Sequence, residues 1–113
     1  MSMYDEQDSE FDDTLIFDRK DIKDKPNPLL MPYEALCAYS AVSDYGNTKY
    51  GNRDTWIFAK EGVTTYSAAA ARHLFQSHAG TFDKESNLPH LYHAVWNICA
   101  AIWHLEQNLK EAE

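Results

Sequence analysis

Four of the five histidines of this 113-residue chain fall within the 26 residues from Arg72 to Asn97, RHLFQSHAGTFDKESNLPHLYHAVWN. His90 and His93 are three apart, a spacing that puts both imidazoles on one face of a helix, and Asn97 continues that face one turn on. Asp83 and Glu85 stand in the loop just before. Two imidazoles with carboxylates can bind a transition metal, whereas Mg2+ prefers oxygen ligands and keeps several waters. Arg72 is suited to clamp a phosphate, and His73 to carry a proton. Each group also has a plainer use. Histidines beside an apolar helix seam serve as hydrogen-bonded framework, loop charges as solvated surface, and Arg72 or His73 as partners of a helix C-terminal dipole.

A second set lies upstream. Tyr45, Tyr50 and Trp56, with Lys49 and Arg53, have the chemistry to stack a base and hold phosphates. The same rings can equally anchor a long loop. No phosphate-binding Gly-rich loop, Cys-x-x-Cys pair or Gly-x-Ser-x-Gly elbow is present.

The elements that must position these groups read as helices, giving an all-α fold: a small bundle of three main helices with a long structured loop. In the third, capped by Ser86 or Asn87 with Pro89 in its first turn, Leu91, Val95, Ile98, Ile102, Leu105 and Leu109 repeat at 4-3-4-3-4 spacing. Tyr92, Trp96, Cys99 and Trp103 line one flank of this seam; His90, His93, Asn97 and His104 line the other. The second helix is expected from Tyr66 to about Ala79, capped by Thr64 or Thr65, ended by Gly80, and narrowed by its four alanines, residues 68–71. The first is expected from about Tyr33 to Tyr45, with Gly46 as its left-handed cap. Residues 46–63 read as a loop with one turn around Trp56–Lys60, and residues 25–32, with three prolines, as an extended lead-in. The third helix is apolar over more than half its circumference, so a homo-oligomer covering the tryptophan flank is expected.

Composition narrows the class. The net charge of −8 is concentrated in residues 1–24, which carry nine acids against Arg19, Lys20 and Lys23. That segment reads as a mobile acidic tail, and residues 25–113 as a single helical domain. Without a basic stripe, nucleic acid is disfavoured as a direct ligand. No apolar run approaches the roughly 18 residues of a membrane span, and no basic-then-apolar leader opens the chain. Cys37 and Cys99 lie in apolar helical patterns and read as buried free thiols of a reducing cytoplasm.

The succession LLMPYEAL (29–36), YGNTKYGNRDTW (45–56), YSAAAARHL (66–74) and DKESNLPHLYHAVWN (83–97) resembles the phage-associated dATP/dGTP diphosphohydrolase N-terminal domain family, across about residues 25–106. That family is similar to the all-α nucleoside-triphosphate pyrophosphohydrolases, helical oligomers that use carboxylate-bound Mg2+ to split a nucleotide into its monophosphate and pyrophosphate. The resemblance implies that Lys49, Arg72 and His73 meet phosphates or the attacking water. It implies Asp83 and Glu85 as catalytic carboxylates and Mg2+ ligands, with His90, His93 and Asn97 completing the cleft. Tyr45, Tyr50 and Trp56, with Arg53 nearby, would cover the base and reach the phosphates. The chain departs from the family pattern where Gly80-Thr81 replaces Gly-Glu and where Pro28-Leu29 stand in place of an aspartate. Glu34 is the remaining acid able to compensate as a metal ligand. The implied activity is a deoxypurine triphosphate pyrophosphohydrolase acting in the host-cell cytoplasm. Its rival is a non-catalytic binder that sequesters a nucleotide or a nucleotide-derived immune signal. A third role is interaction through the acidic tail.

Overall fold

Pro32 has no backbone N–H to contribute to a helix, and its carbonyl instead accepts the N–H groups of Ala35 (3.1 Å) and Leu36 (3.3 Å), so the first helix opens directly behind it. This helix, α1, spans Tyr33–Tyr50 in the computed structural model, which describes residues 25–51 and 55–112. The acidic tail and Arg53 lie outside the described residues. α1 is longer than expected. Gly46 does not end it; the cap is Gly51, at φ +71°, whose N–H bonds the Asn47 carbonyl at 2.9 Å. A glycine inside a helix costs only about 1 kcal/mol, and Asn47-Thr48-Lys49-Tyr50 carry no helix-breaking backbone. The extra turn moves Lys49 and Tyr50 from the expected loop onto the helix that bears Tyr45.

The chain separates into two units, Met1–Met31 and Pro32–Glu113. In the first, the expected extended lead-in contains a 3-10 turn, Pro28–Leu30, because Asn27 Oδ1 accepts the Leu29 N–H at 3.0 Å and Pro28 supplies a pre-set φ. In the second, a 3-10 turn at Thr55–Phe58 falls where a single turn was expected.

Helix α2 spans Gly62–Gln76, starting and ending earlier than Thr64, Thr65 and Gly80 suggest. No side chain caps its start; Gly62 is buried against the His104 ring, and that packing sets the first turn. Its end tightens through bonds from His78 to Phe75 and from Ala79 and Gly80 to Gln76.

Helix α3 spans His90–Ala112 and packs mainly on α2, with a smaller contact to α1. Pro89 stands just before it, taking the His93 N–H at 3.4 Å, and neither Ser86 nor Asn87 caps it; Asn87 adopts φ +60° inside the preceding turn. Which face turns inward is the main correction. The buried residues are His90, His93, Ala94, Asn97, Ala100, Ala101 and His104. The 4-3 seam is left outside: Leu91 is 54% exposed, Ile98 47%, Ile102 51%, Leu105 43% and Leu109 52%. Small residues decide this, since Ala38, Val42 and Ala70 of α1 and α2 let the histidine and alanine face approach closely. Cys37 is exposed, contrary to expectation, and Cys99 is half-buried; both are free thiols.

The described residues form an all-α structure with no strand, apart from one isolated bridge between Phe82 and Pro89. None of their helices is long and apolar enough to cross a membrane.

Candidate functional site

The longer α1 carries Tyr45 and Lys49 one turn apart on one face, and both look into a cavity of about 450 Å³. Trp56 enters from the 3-10 turn, Tyr66 and His73 from α2, Asp83 and Glu85 from the α2–α3 turn, and His93, Trp96 and Asn97 from α3. Such a volume is within the range that holds a small organic ligand.

One wall is aromatic. Trp56 meets Tyr66, Trp96 and Trp103 edge-on at 6.4, 5.7 and 5.2 Å between centroids. Tyr66 stacks on His104 at 5.6 Å. The Tyr66 hydroxyl (3.3 Å) and His104 Nε2 (3.0 Å) both donate to the Trp56 carbonyl, which pins the 3-10 turn and puts the His104 proton on Nε2. Trp96 Nε1 donates to Ser43 Oγ at 3.1 Å. The tryptophan flank expected to face a second subunit is thus partly covered by the chain itself.

The rest of the lining is largely titratable. Lys49 Nζ pairs with Glu85 Oε1 at 2.6 Å and lies 5.2 Å from the Tyr50 ring centroid. The Glu85 bond holds the lysine well above its ordinary range, and the Lys49 bond and charge hold Glu85 below its own. Burial pulls the Asp83 carboxyl upward, but the Ser86 N–H and hydroxyl, each 2.8 Å from Oδ2, together with His93 and His73, bring it below the usual value. Ser86 Oγ in turn meets His93 Nε2 at 2.6 Å. His93 stacks on His73 at 4.5 Å, and His73 Nδ1 lies 3.0 Å from His90 Nδ1. Burial pushes the His93 imidazole down, and burial with the neighbouring His93 does the same to His73. Both rings are therefore neutral near pH 7.

Of the residues singled out from sequence, Tyr45, Lys49, Tyr50, Trp56, His73, Asp83, Glu85, His93 and Asn97 share this cavity. Asn97 Nδ2 donates to the His93 carbonyl at 2.8 Å. His90 is buried behind the lining and reaches it through His73. Arg72 is exposed and outside the lining, because neighbouring helical residues point about 100° apart and His73 takes the inward direction. Glu34 also lies outside it, roughly 16 Å of helix before Tyr45. Tyr66, Trp96 and Ser86 were not among the expected site residues. Tyr66 precedes His73 by two helical turns, Trp96 follows His93 by three residues, and Asp83-x-x-Ser86 is a side-chain-capped turn, so each left a spacing signal.

The carboxylates fit an Mg2+ cage poorly. Glu85 is engaged by Lys49, Asp83 Oδ2 takes both Ser86 bonds, and Glu34 stands apart, so among the described residues no three carboxylates converge. The donors that do converge among the described residues are His73, Asp83 and His90, one ligand atom from each lying within 4.8 Å of the others.

No curated protein and no solved structure matches the chain. A family model described as dATP/dGTP diphosphohydrolase, N-terminal, matches residues 18–113, which include every residue of the cavity. The chain belongs to the dATP/dGTP diphosphohydrolase N-terminal domain family.

Proposed function

We propose that the cavity binds a deoxypurine nucleoside triphosphate and that the protein hydrolyses it to the monophosphate and pyrophosphate. The observation that carries this reading is that one cavity is lined by both aromatic rings and a lysine with titratable groups. The rings of Tyr45, Trp56, Tyr66 and Trp96 suit a purine, Lys49 suits a phosphate oxygen, and His73 and His93 suit proton transfer, with Asp83 placed to face a cation. Water would add at the α-phosphorus, the bond to the bridging oxygen would break, and pyrophosphate would leave. His73, neutral and lining the cavity, is the group suited to accept the proton from that water so long as its Nδ1 is not taken by an ion. Lys49 would exchange Glu85 for a phosphate oxygen, so binding exposes the Glu85 carboxylate. Mg2+ would arrive as the counterion of the triphosphate and not on a cage built by this chain.

A second reading is favoured by one observation: Lys49 and Glu85 already neutralise each other, and the expected acids do not converge. On that reading the protein sequesters a nucleotide or a nucleotide-derived signal without cleaving it, as an anti-defence protein of a phage in its host's cytoplasm. A homo-oligomer accompanies either reading, supported by the exposed seam of α3. The test is incubation with dATP, dGTP, ribonucleotides and cyclic dinucleotides in the presence of divalent cation, followed by chromatography. Monophosphate and pyrophosphate support the hydrolase. Intact nucleotide removed by the protein and released on heating supports the sequestering protein, and the appearance of neither product nor retained nucleotide removes the nucleotide reading.

A further inference from the structure

The turn joining α2 to α3 is closed by backbone bonds from Asp83 N–H to Leu88 (2.8 Å), Asn87 N–H to Asp83 (2.7 Å) and His90 N–H to Thr81 (2.8 Å). It therefore carries Asp83 and His90 as one rigid piece against His73 near the end of α2. Both Ser86 bonds fall on Asp83 Oδ2, which leaves Oδ1 outside them. His73 and His90 present like nitrogens to each other, Nδ1 to Nδ1, at 3.0 Å.

We propose that His73, His90 and Asp83 form a binding site for a divalent transition-metal ion of the Zn2+, Mn2+ or Co2+ type, set in the cavity wall, in place of the carboxylate Mg2+ cage. The donor set is of the right kind: two imidazoles and a carboxylate suit these ions, and Mg2+ takes oxygen. Between the two imidazoles the geometry is close to the required one, and the Asp83 carboxylate lies within 4.8 Å of both. A tetrahedral ion about 2.0–2.1 Å from each imidazole nitrogen holds the two nitrogens roughly 3.3 Å apart, a few tenths more than their present separation. The surroundings also match what such sites need, since a ligating carboxylate is itself held by outer hydrogen bonds. Here Ser86 orients Asp83, and His93 orients Ser86 and stacks on the His73 ring. His73 and Asp83 line the cavity and His90 does not, so the ion's open positions face the ligand space. That it would sit against a phosphate rests on the nucleotide reading; the binding of the ion does not. The competing account is a single tautomeric hydrogen bond between the two imidazoles, with no affinity for metal.

The test uses the full chain, stripped with chelator and free of nucleotide, titrated with Co2+. The expected result is one tightly bound ion per chain with visible d–d absorption showing nitrogen ligation, displaced by Zn2+ and not by a large excess of Mg2+. Asp83→Asn and His73→Gln should abolish the tight site while circular dichroism reports intact helix. Ser86→Ala, a positioning change, should weaken it about 10- to 100-fold. His78→Gln, at an exposed histidine outside the cavity, should leave it unchanged. A folded wild-type chain that binds no stoichiometric Co2+, or binding equally strong in folded Asp83→Asn, overturns the proposal. Because wild type alone can fail the test, misfolding of a variant does not shield it. Metal binding without nucleotide binding would sink the nucleotide reading and leave this site standing.

Discussion

Gly62 offers a sharp test of how α2 and α3 are held, because two known effects oppose each other there. Replacing it with alanine removes backbone freedom from the unfolded chain and favours the helix by up to about 1 kcal/mol. Against that, a β-carbon at Gly62 would overlap the His104 ring at the carbons nearest its own backbone, which no small swing of the side chain relieves. Overpacking of this kind costs about 1–3 kcal/mol. Displacing the ring also strains the His104–Trp56 carbonyl bond of 3.0 Å, worth roughly 0.5–1.5 kcal/mol. The clash side wins, and Gly62→Ala should destabilise the fold by about 1–3 kcal/mol, with Tm falling by roughly 4–8 °C per kcal/mol for a domain of this size. Urea unfolding followed by far-UV circular dichroism, at one fixed protein concentration, measures it. In a His104→Ala background the obstacle is gone, and the same substitution should be neutral or stabilising by up to about 1 kcal/mol. A Gly62→Ala protein more stable than wild type, or an equal cost in both backgrounds, would refute the close approach of α2 to His104.

Acid should weaken the fold early. His73 and His93 have depressed values in the folded chain, so the unfolded chain takes up protons first; their contribution is full above about pH 6.5 and is lost as pH falls through it toward the folded values. Asp83 and Glu85, also depressed, add a further loss below about pH 4. Urea midpoints should therefore drop from neutral pH downward, and a midpoint that rises on acidification would contradict the histidine environment. Lys49→Ala should leave Tm nearly unchanged, because its pair with Glu85 is solvent-exposed, yet weaken triphosphate binding in titration calorimetry; unchanged affinity would remove Lys49 from the phosphate end. Ile102→Glu with Leu105→Glu should shift the particle to monomer by light scattering while helix content is kept. A monomeric wild type would instead remove the oligomer.

The helical class was legible because α3 carries an unbroken 4-3 pattern over five intervals, from Leu91 to Leu109. Periodicity marks a face but does not name its neighbour. Here hydrogen bonds inside the chain, Asn97 to the His93 carbonyl and His104 to the Trp56 carbonyl, let a polar flank turn inward and leave the leucines out. Gly46 and Gly51 look equivalent in sequence, and only the second has the left-handed backbone that ends a helix. Most of the cavity lining came from residue type alone, since aromatic rings near a lysine and clustered histidines are distinctive. The His73–His90 pairing did not. It depends on a turn of backbone bonds bringing two elements together, whereas the three-residue spacing pointed to His90 with His93.

The largest buried apolar side chain among the described residues is a valine; Val42 stands with Ala38, Ala70, Ala94, Ala100 and Ala101. A domain normally separates the residues that keep it folded from those that meet its ligand. Here the bulky side chains that tie the elements together, Trp56, Tyr66 and Trp96, also wall the cavity. Mutational drift in ligand preference then has few free positions: altering a ring to suit another ligand also loosens the joint between helices. Tyr45 on α1 meets His93 of α3 edge-on, so Tyr50, largely exposed at the end of α1, is where a change of specificity would meet the least resistance.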